Sequence, residues 1–491
     1  MTLLSVIAAG GIAAPIAERT FMPYLRAART LNLVAVDPSL PPRVAQFRVS
    51  LRLLAAHLRP LTGRWLAWTA LPASIRLTLR VAELLLISVS IELAMSLPMA
   101  IYFHRITVLA LPVNALIVPF LGILLPSALL TFVVLLCWPP AAIVPGAVTA
   151  FLLHVVVGII RVFAGLPSGD FRIPGPRNAA IAGFVLLLAF ATWAVRRQRF
   201  GIPAGVVALL VAAAWVVTPY NFQRRSGALE VTAIDVGQGD SLLVVTPEGK
   251  TLLIDGGGTP FGPPPGVARF DMGEDVVSPM VWSRGIRRLD AVALTHAHAD
   301  HIGGLPAVLA NFRPRELWIG KNPDSPAYNA LLAEAARLGV AVHSHAAGEQ
   351  FQFGGALVEV LAPEPDYRPG KAPANNDSLA MRASFGHTSA LLEGDAEGPS
   401  ENRMLHSAGL HSDLLKVGHH GSRTSTTPLF FDAVSPSFAI ISVGRRNSYG
   451  HPRHEILEEL QNARVRTYRT DMLGITTFYL DGKQVTPLVP H

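Results

Sequence analysis

Most of the first 218 residues are apolar in runs that water would reject. Stretches at about 81–103, 119–138, 141–164, 179–195 and 203–218 match the roughly 17–25 helical residues needed to cross a hydrocarbon layer. In such a layer the backbone must satisfy its own hydrogen bonds, so helix is the fold this half can adopt. The whole composition agrees: 51% of residues are hydrophobic and 15% charged, which excludes an ordinary soluble protein. A chain of 491 residues also exceeds what one core organises. We divide it into a polytopic α-helical membrane domain, residues 1–226, and a soluble α/β domain, residues 227–491.

The membrane half carries further signals. The run Leu3 to Ala17 lacks the basic start and cleavage site of a signal peptide and reads as a membrane helix with its upstream partners missing. Residues 106–118 hold Pro112 and Asn114 and read as a re-entrant or broken segment. Between residues 18 and 80 arginine recurs, at positions such as Arg19, Arg48, Arg59 and Arg64, against Glu18 and Asp37 as acids. This stretch reads as a cytoplasmic loop on anionic lipid, with a nucleic-acid contact surface as the alternative. Placing it in the cytoplasm and counting the five strong spans also puts Arg196, Arg197 and Arg199 inside. The soluble domain then lies outside the cytoplasm. Glu83 and Glu92 fall in the first strong span, where an acid faces a polar cavity or reaches the interface.

Beyond Arg224–Arg225 the pattern changes to short alternating strands, at 229–236, 241–246, 251–254, 290–295, 316–319, 356–361, 378–385, 389–393, 414–417 and 438–443. Helices fit at about 276–285, 303–311, 325–338, 399–407 and 453–463, and a glycine- and proline-rich loop at 259–266. Strands interleaved with helices predict two sheets with helices packed outside, an αββα sandwich.

The chemistry collects at strand ends. Cys137 is the sole cysteine, so an internal disulfide and a cysteine-based zinc site are both excluded. Of 16 histidines, His57, His104 and His154 lie in the first half and the rest follow residue 295. The strand Leu289-Asp-Ala-Val-Ala-Leu-Thr runs into His296-Ala-His298-Ala-Asp300-His301, three imidazoles and a carboxylate separated by alanines. His296 and His298 can share one ion while Asp300 and His301 point to a second. Two ions about 3.5–4 Å apart can hold a hydroxide between them and clamp a phosphate or acyl oxygen. Asp395 ends another strand and is suited to bridging both ions. Lys416-Val-Gly-His419-His420-Gly supplies a histidine pair. Spacing does not decide between the pair; we take His419 as the ligand and His420 as a group that binds substrate or supports a ligand. Asp255 is expected behind the ligands, orienting the histidine turn. His451 is a candidate contact for a phosphate or leaving group, and with Asp300 makes up the expected catalytic pair. His343, His345 and His454 read as exposed, and His387 as a hairpin residue.

These motifs carry a resemblance. Asp235-Val-Gly-Gln-Gly-Asp-Ser, Ile254-Asp-Gly-Gly, Thr295-His-Ala-His-Ala-Asp-His-Ile-Gly-Gly, Asn375-Asn-Asp-Ser-Leu, Glu393-Gly-Asp-Ala-Glu and Leu415-Lys-Val-Gly-His-His-Gly-Ser resemble the metallo-β-lactamase superfamily. With Leu97-Pro-Met-Ala-Ile-Tyr-Phe-His-Arg and Asn114-Ala-Leu-Ile-Val-Pro, the whole chain resembles the ComEC family of DNA-uptake channel proteins. The resemblance implies a metallo-β-lactamase fold, two divalent ions (zinc or manganese), and an inner-membrane channel that passes one DNA strand. It also implies an outward hydrolase domain degrading the other strand, and other competence proteins as partners. The chain departs from the pattern in two ways. It begins inside the membrane domain, so the family's N-terminal part is expected to be missing. It also has Asn375-Asn376-Asp377 where the superfamily places another histidine, making Asn376, Asp377 or water candidates to complete one ion's ligand set. Two rival functions follow from the residues: a membrane-anchored hydrolase of another phosphoester, and a transport protein whose soluble domain binds nucleic acid without cutting it.

Overall fold

The computed structural model describes residues 1–166, 169–197, 200–218, 225–259, 270–407 and 409–489. Arg199, Arg224 and most of the loop expected at 259–266 lie outside them. Contacts divide the chain into two compact units, Met1–Pro219 and Tyr220–His491.

Among the described residues of the first unit, four helical runs are long and apolar enough to cross a membrane: Thr2–Thr20, Pro42–Phe103, Ala110–Cys137 and Pro139–Ala164. The apolar helices Asn178–Ala194 and Gly201–Val217 are shorter. The segment expected to be re-entrant at 106–118 is instead split. Arg105–Thr107 pairs antiparallel with Asp170–Arg172, and everything from Ala110 joins one helix to Cys137. Pro112 falls in that helix's first turn, where a missing N–H costs nothing, so it does not break the segment.

Small residues set the helix packing. Ala8, Ala94, Ala100, Ala191, Ala208 and Ala212 are buried together with Ile12, Phe184, Leu188 and Leu209, as expected where backbones must approach closely without a hydrophobic drive. Gly183 is required by such an approach: a Cβ there would sit 2.2 Å from Cζ3 of Trp215. Several arginines of residues 18–80 are absorbed by the fold. Arg19 donates to the carbonyls of Val195, Arg196 and Arg197, capping the helix that ends at Ala194. Arg48 is fully buried and donates to the carbonyls of Ala27, Thr30 and Leu33, to Thr30 Oγ1 and to Asp37. Arg80 pairs with Glu83, so this acid is not left alone in its helix.

The second unit is two sheets. The eight-stranded sheet has Leu229–Ala233, Leu242–Val245 and Thr251–Ile254 antiparallel at its centre, continued by Ala291–Leu294, Glu316–Ile319 and Ala341–Ser344 in parallel. The seven-stranded sheet repeats the scheme. Gln350–Phe353, Ala356–Ala362, Ala380–Phe385 and Thr388–Leu392 are antiparallel, and Leu414–Lys416, Phe438–Ile441 and Arg466–Arg469 follow in parallel. Strands 350–353, 466–469 and 485–488 were not expected; they are sheet edges, where one partner and partial exposure blur the alternation, and the largely buried strand 476–480 beside 485–488 was not expected either.

Period-two burial explains the layering. Leu242, Val244, Leu252, Ile254, Ala291 and Ala293 face the other sheet, alongside Leu392, Leu414 and Ile440 from across the gap. Leu243, Val245, Leu253, Val292 and Leu294 face outward onto Val281, Trp282, Leu305, Leu309 and Phe312. Leu391, Leu415, Ala439 and Ile441 do the same for Phe430, Val434 and Ile456 on the far side. Strands covered on both faces read as continuous apolar runs, and the result is the αββα sandwich. Leu243→Ala, at a site with no exposure, is expected to destabilise this unit by about 2–5 kcal/mol. Denaturant unfolding of the chain in detergent, followed by near-ultraviolet circular dichroism, measures it.

Candidate metal centre

The parallel strands of both sheets end at one place. Asp255 follows strand 251–254, the histidine turn follows 291–294, Asp395 follows 388–392, and the histidine pair follows 414–416. Ligand groups at the carboxyl ends of strands, under short helices, are what an open α/β arrangement favours.

Asp255 is buried with φ 61° and grips the histidine turn with both oxygens. It accepts from Thr295 N at 2.8 Å, from Thr295 Oγ1 at 2.6 Å and from His301 Nδ1 at 2.7 Å. With Nδ1 spent there, His301 turns Nε2 toward Asp395 Oδ2, 3.2 Å away. The turn fits only because glycine faces it: a Cβ on Gly239 would lie 2.3 Å from the Asp300 carbonyl oxygen.

His420 enters from the opposite sheet. Its Nδ1 donates to the Ser442 carbonyl at 2.9 Å, and its Nε2 lies 3.4 Å from Asp395 Oδ2 and 3.5 Å from Asp300 Oδ2. Of the pair it is His420, and not the expected His419, that faces the other donor atoms. His419 and His420 both have positive φ, 46° and 57°, so the chain coils tightly and the two rings diverge. His420 goes into the cluster, while His419 sits 3.4 Å from Glu397 Oε1 and 3.3 Å from Thr424 Oγ1.

His296 and His298 bring Nε2 and Nδ1 to 2.9 Å from each other, close enough to reach one ion. His298 Nε2 donates to the Pro373 carbonyl. Donor atoms lie within 4.8 Å of one another in the sets His296/His301/Asp395, Asp300/His301/His420, Asp240/Asp255/His301 and Asp240/Asp395/His420. His298 is in none of these sets among the described residues.

Asn376 and Asp377 are occupied elsewhere. Asn376 Oδ1 accepts from Glu397 N, and Asp377 accepts from Tyr367 Oη and Ala374 N. They fix the loops around the site rather than face it. Their neighbour Asn375 lines the cavity instead.

Asp240 and Lys416, of the motifs Asp235-Val-Gly-Gln-Gly-Asp-Ser and Leu415-Lys-Val-Gly-His-His-Gly-Ser, also belong to the centre. Asp240 is buried and forms an ion pair with Lys416, which is itself fully buried and donates to the Gly394 carbonyl at 3.0 Å. Lys416 Nζ also lies 3.5 Å from Asp395 Oδ1. The available signal was a lysine inside an otherwise apolar strand, where an unpaired cation would be prohibitive.

The electrostatics follow from crowding. Burial would raise the carboxyls of Asp395 and Asp300, but His420 and His301 outweigh it, with Lys416 adding to the effect at Asp395; both are held below the ordinary range. Burial alone would lower His301 and Lys416, but Asp395 raises both, together with Asp255 for the first and Asp240 for the second. Burial lowers His296, helped by the neighbouring charge of His301.

His301 Nε2, His420 Nε2, Asp240 Oδ1 and Asp395 Oδ1 are buried without a hydrogen-bond partner; the short approaches between them are not aligned hydrogen bonds. Each such atom costs about 1–3 kcal/mol unless something satisfies it. Divalent cations fit this nitrogen and oxygen donor set. Above it opens a cavity of about 400 Å³, whose walls include Gln238, Asn375, Tyr449 and His451. His451 donates from Nδ1 to the His419 carbonyl, and Asn447 holds its backbone at both N–H and C=O. His343 is exposed on an edge strand, as expected, and His454 on a helix.

Residues 234–445 match the metallo-beta-lactamase superfamily, and residues 47–198 match the competence protein family. The chain is similar to ComE operon protein 3 of Bacillus subtilis, 30% identical over 80% of this chain and 51% of that protein. It is also similar to competence protein ComA of Neisseria gonorrhoeae, 32% identical over 51% of this chain and 32% of that one. The chain thus spans about half the length of the first and a third of the second. Among solved structures, the metallo-beta-lactamase fold protein YhfI of Bacillus subtilis covers 49% of this chain and 95% of its own, at 12% identity and a TM-score of 0.33.

The two sheets generate a direct test of the ligand geometry. His420→Ala is expected to lower bound metal, measured by plasma mass spectrometry, while His419→Ala leaves it unchanged. Asp255→Asn, which withdraws the acceptor behind His301, is expected to weaken metal binding about 10–100-fold.

Proposed function

For a chain that joins a competence-protein domain to a metallo-beta-lactamase superfamily domain, we propose a role as a membrane component of DNA uptake whose second unit hydrolyses phosphodiester bonds of incoming DNA. The reading rests on the unsatisfied atoms of His301, His420, Asp240 and Asp395 at the floor of a solvent-reachable cavity. One ion would be held by Asp300, His301, Asp395 and His420, and a second by His296 and His298. All-nitrogen and oxygen ligation suits zinc or manganese. Such ions supply Lewis acidity and lower the pKa of a nearby water toward neutrality.

The chain's own residues do the positioning. Asp255 fixes the tautomer and direction of His301. Lys416 holds Asp240 by an ion pair and stands beside Asp395, so that both carboxylates are aimed into the centre. Burial keeps His451 below the usual imidazole range. Its Nδ1–H is committed to His419, so the neutral ring offers Nε2 to accept a proton in the cavity.

The full chain, purified in detergent, is expected to cut labelled single- or double-stranded DNA with manganese or zinc and to stop with chelator. An Asp300→Ala/His301→Ala variant is expected to lose at least about a hundredfold in rate. Metal bound without cutting of DNA would redirect the reading to another phosphoester, and a metal-free, inert site would leave transport without hydrolysis. The count of spans and the arginine distribution also support an extracytoplasmic second unit. Alkaline phosphatase fused after His491 is expected to be active and a cytoplasm-dependent fluorescent reporter dark; the reverse pattern would overturn the orientation.

A further inference from the structure

The arginines of residues 18–80 divide into two groups. Arg19, Arg48, Arg52, Arg76 and Arg80 bond to backbone carbonyls or acids. Arg26, Arg29, Arg43, Arg59 and Arg64 have no hydrogen bond or ion pair among the described residues. Two of these, Arg59 and Arg64, line a single cavity of about 840 Å³ with Asn32, Trp65, Trp68 and Thr69. No acid is among its lining residues.

Side chains five positions apart on an unbroken helix point about 140° away from each other. Gly63, at φ 81° and ψ 166°, breaks the helix Pro42–Trp65 between the two arginines, and both reach the same cavity. Apolar side chains crowd the same stretch: Leu61 is 79% exposed, Trp65 68% and Leu66 48%. The stretch lies in the run Pro42–Phe103, just ahead of the apolar helix Leu71–Pro98.

We propose that this cavity is a headgroup site for an anionic phospholipid. The phosphodiester lies between the guanidiniums of Arg59 and Arg64, whose planar forks match phosphate oxygens. Trp65 and Trp68 sit at headgroup level, as tryptophan does beside spanning helices, and Leu61 and Leu66 run against acyl chains. A solvated nucleic-acid strand would use the same cations but has no partner for the exposed leucines. Basic pockets beside spanning helices recognise anionic headgroups by this chemistry.

The test uses the full chain, delipidated in detergent and titrated with phosphatidylglycerol, phosphatidylcholine or a single-stranded oligonucleotide, with bound molecules counted by native mass spectrometry. Arg59→Gln/Arg64→Gln is expected to weaken phosphatidylglycerol binding about tenfold or more. Arg26→Gln/Arg29→Gln, which removes equal charge outside the cavity, is expected to change it by less than about twofold. Arg59→Lys/Arg64→Lys keeps the charge and the fold and is expected to bind more weakly than the parent, because the forks are gone. Equal losses in both glutamine pairs, phosphatidylcholine binding as tight as phosphatidylglycerol, or no phosphatidylglycerol bound would each overturn the proposal. So would an oligonucleotide bound in preference through Arg59 and Arg64.

Discussion

The carboxylate of Asp255 holds the candidate centre together. It closes the end of one central strand, takes both the N–H and the hydroxyl of Thr295 from the next, and fixes His301 by its Nδ1 proton. Everything else at the centre is placed relative to that imidazole. Asp395 approaches its free nitrogen, His420 lies over Asp395 and Asp300, and His296 packs beside it with ring centroids 4.2 Å apart and planes tilted by 50°. A buried carboxylate that accepts three hydrogen bonds is rigid, because any rotation would leave those donors and acceptors unpaired in a place that water cannot reach.

The second organising constraint is charge balance. Asp240, Asp255, Asp300 and Asp395 crowd together, three of them almost wholly buried. Lys416 is the fixed cation of the cluster, extended from a strand whose other residues face the two hydrophobic layers. His301 and His420 stand among those carboxylates with Lys416, and the partnerless buried oxygens of Asp240 and Asp395 at the floor of the cavity suit it to divalent cations. The backbone bears strain for the same purpose. Two consecutive histidines in the left-handed region cost about 1–2 kcal/mol each, and that coil is what sends His420 inward.

In the first unit the ordering principle is different. Helices approach through alanine and glycine, and arginine is spent on carbonyls at helix ends and in one fully buried clasp at Arg48. A basic stretch that looks uniform in one dimension thus splits into structural arginines and free ones. The free ones have no hydrogen bond or ion pair among the described residues.

How much could be read in advance follows from these particulars. Apolar runs of spanning length, the alternation of Leu242 to Val245 and the ligand-rich turn His296 to His301 are local properties. Burial periodicity and side-chain chemistry act over a few residues, so the helical half, the two-sheet half and the gathering of His296, Asp300, His301 and Asp395 were legible from the sequence alone. The roles of Asp240 and Lys416 were not, because their meaning lies in each other, across 176 positions brought together by strand order. That His420 rather than His419 points into the cluster turns on backbone dihedrals that adjacent identical residues cannot reveal. Asn376 and Asp377, plausible ligands by composition, are claimed by Glu397, Tyr367 and Ala374 once the loops close. The sequence determined which chemistry was present and in which half; only the tertiary structure decided which atoms face one another, since direction is set by packing between elements that the chain order keeps apart.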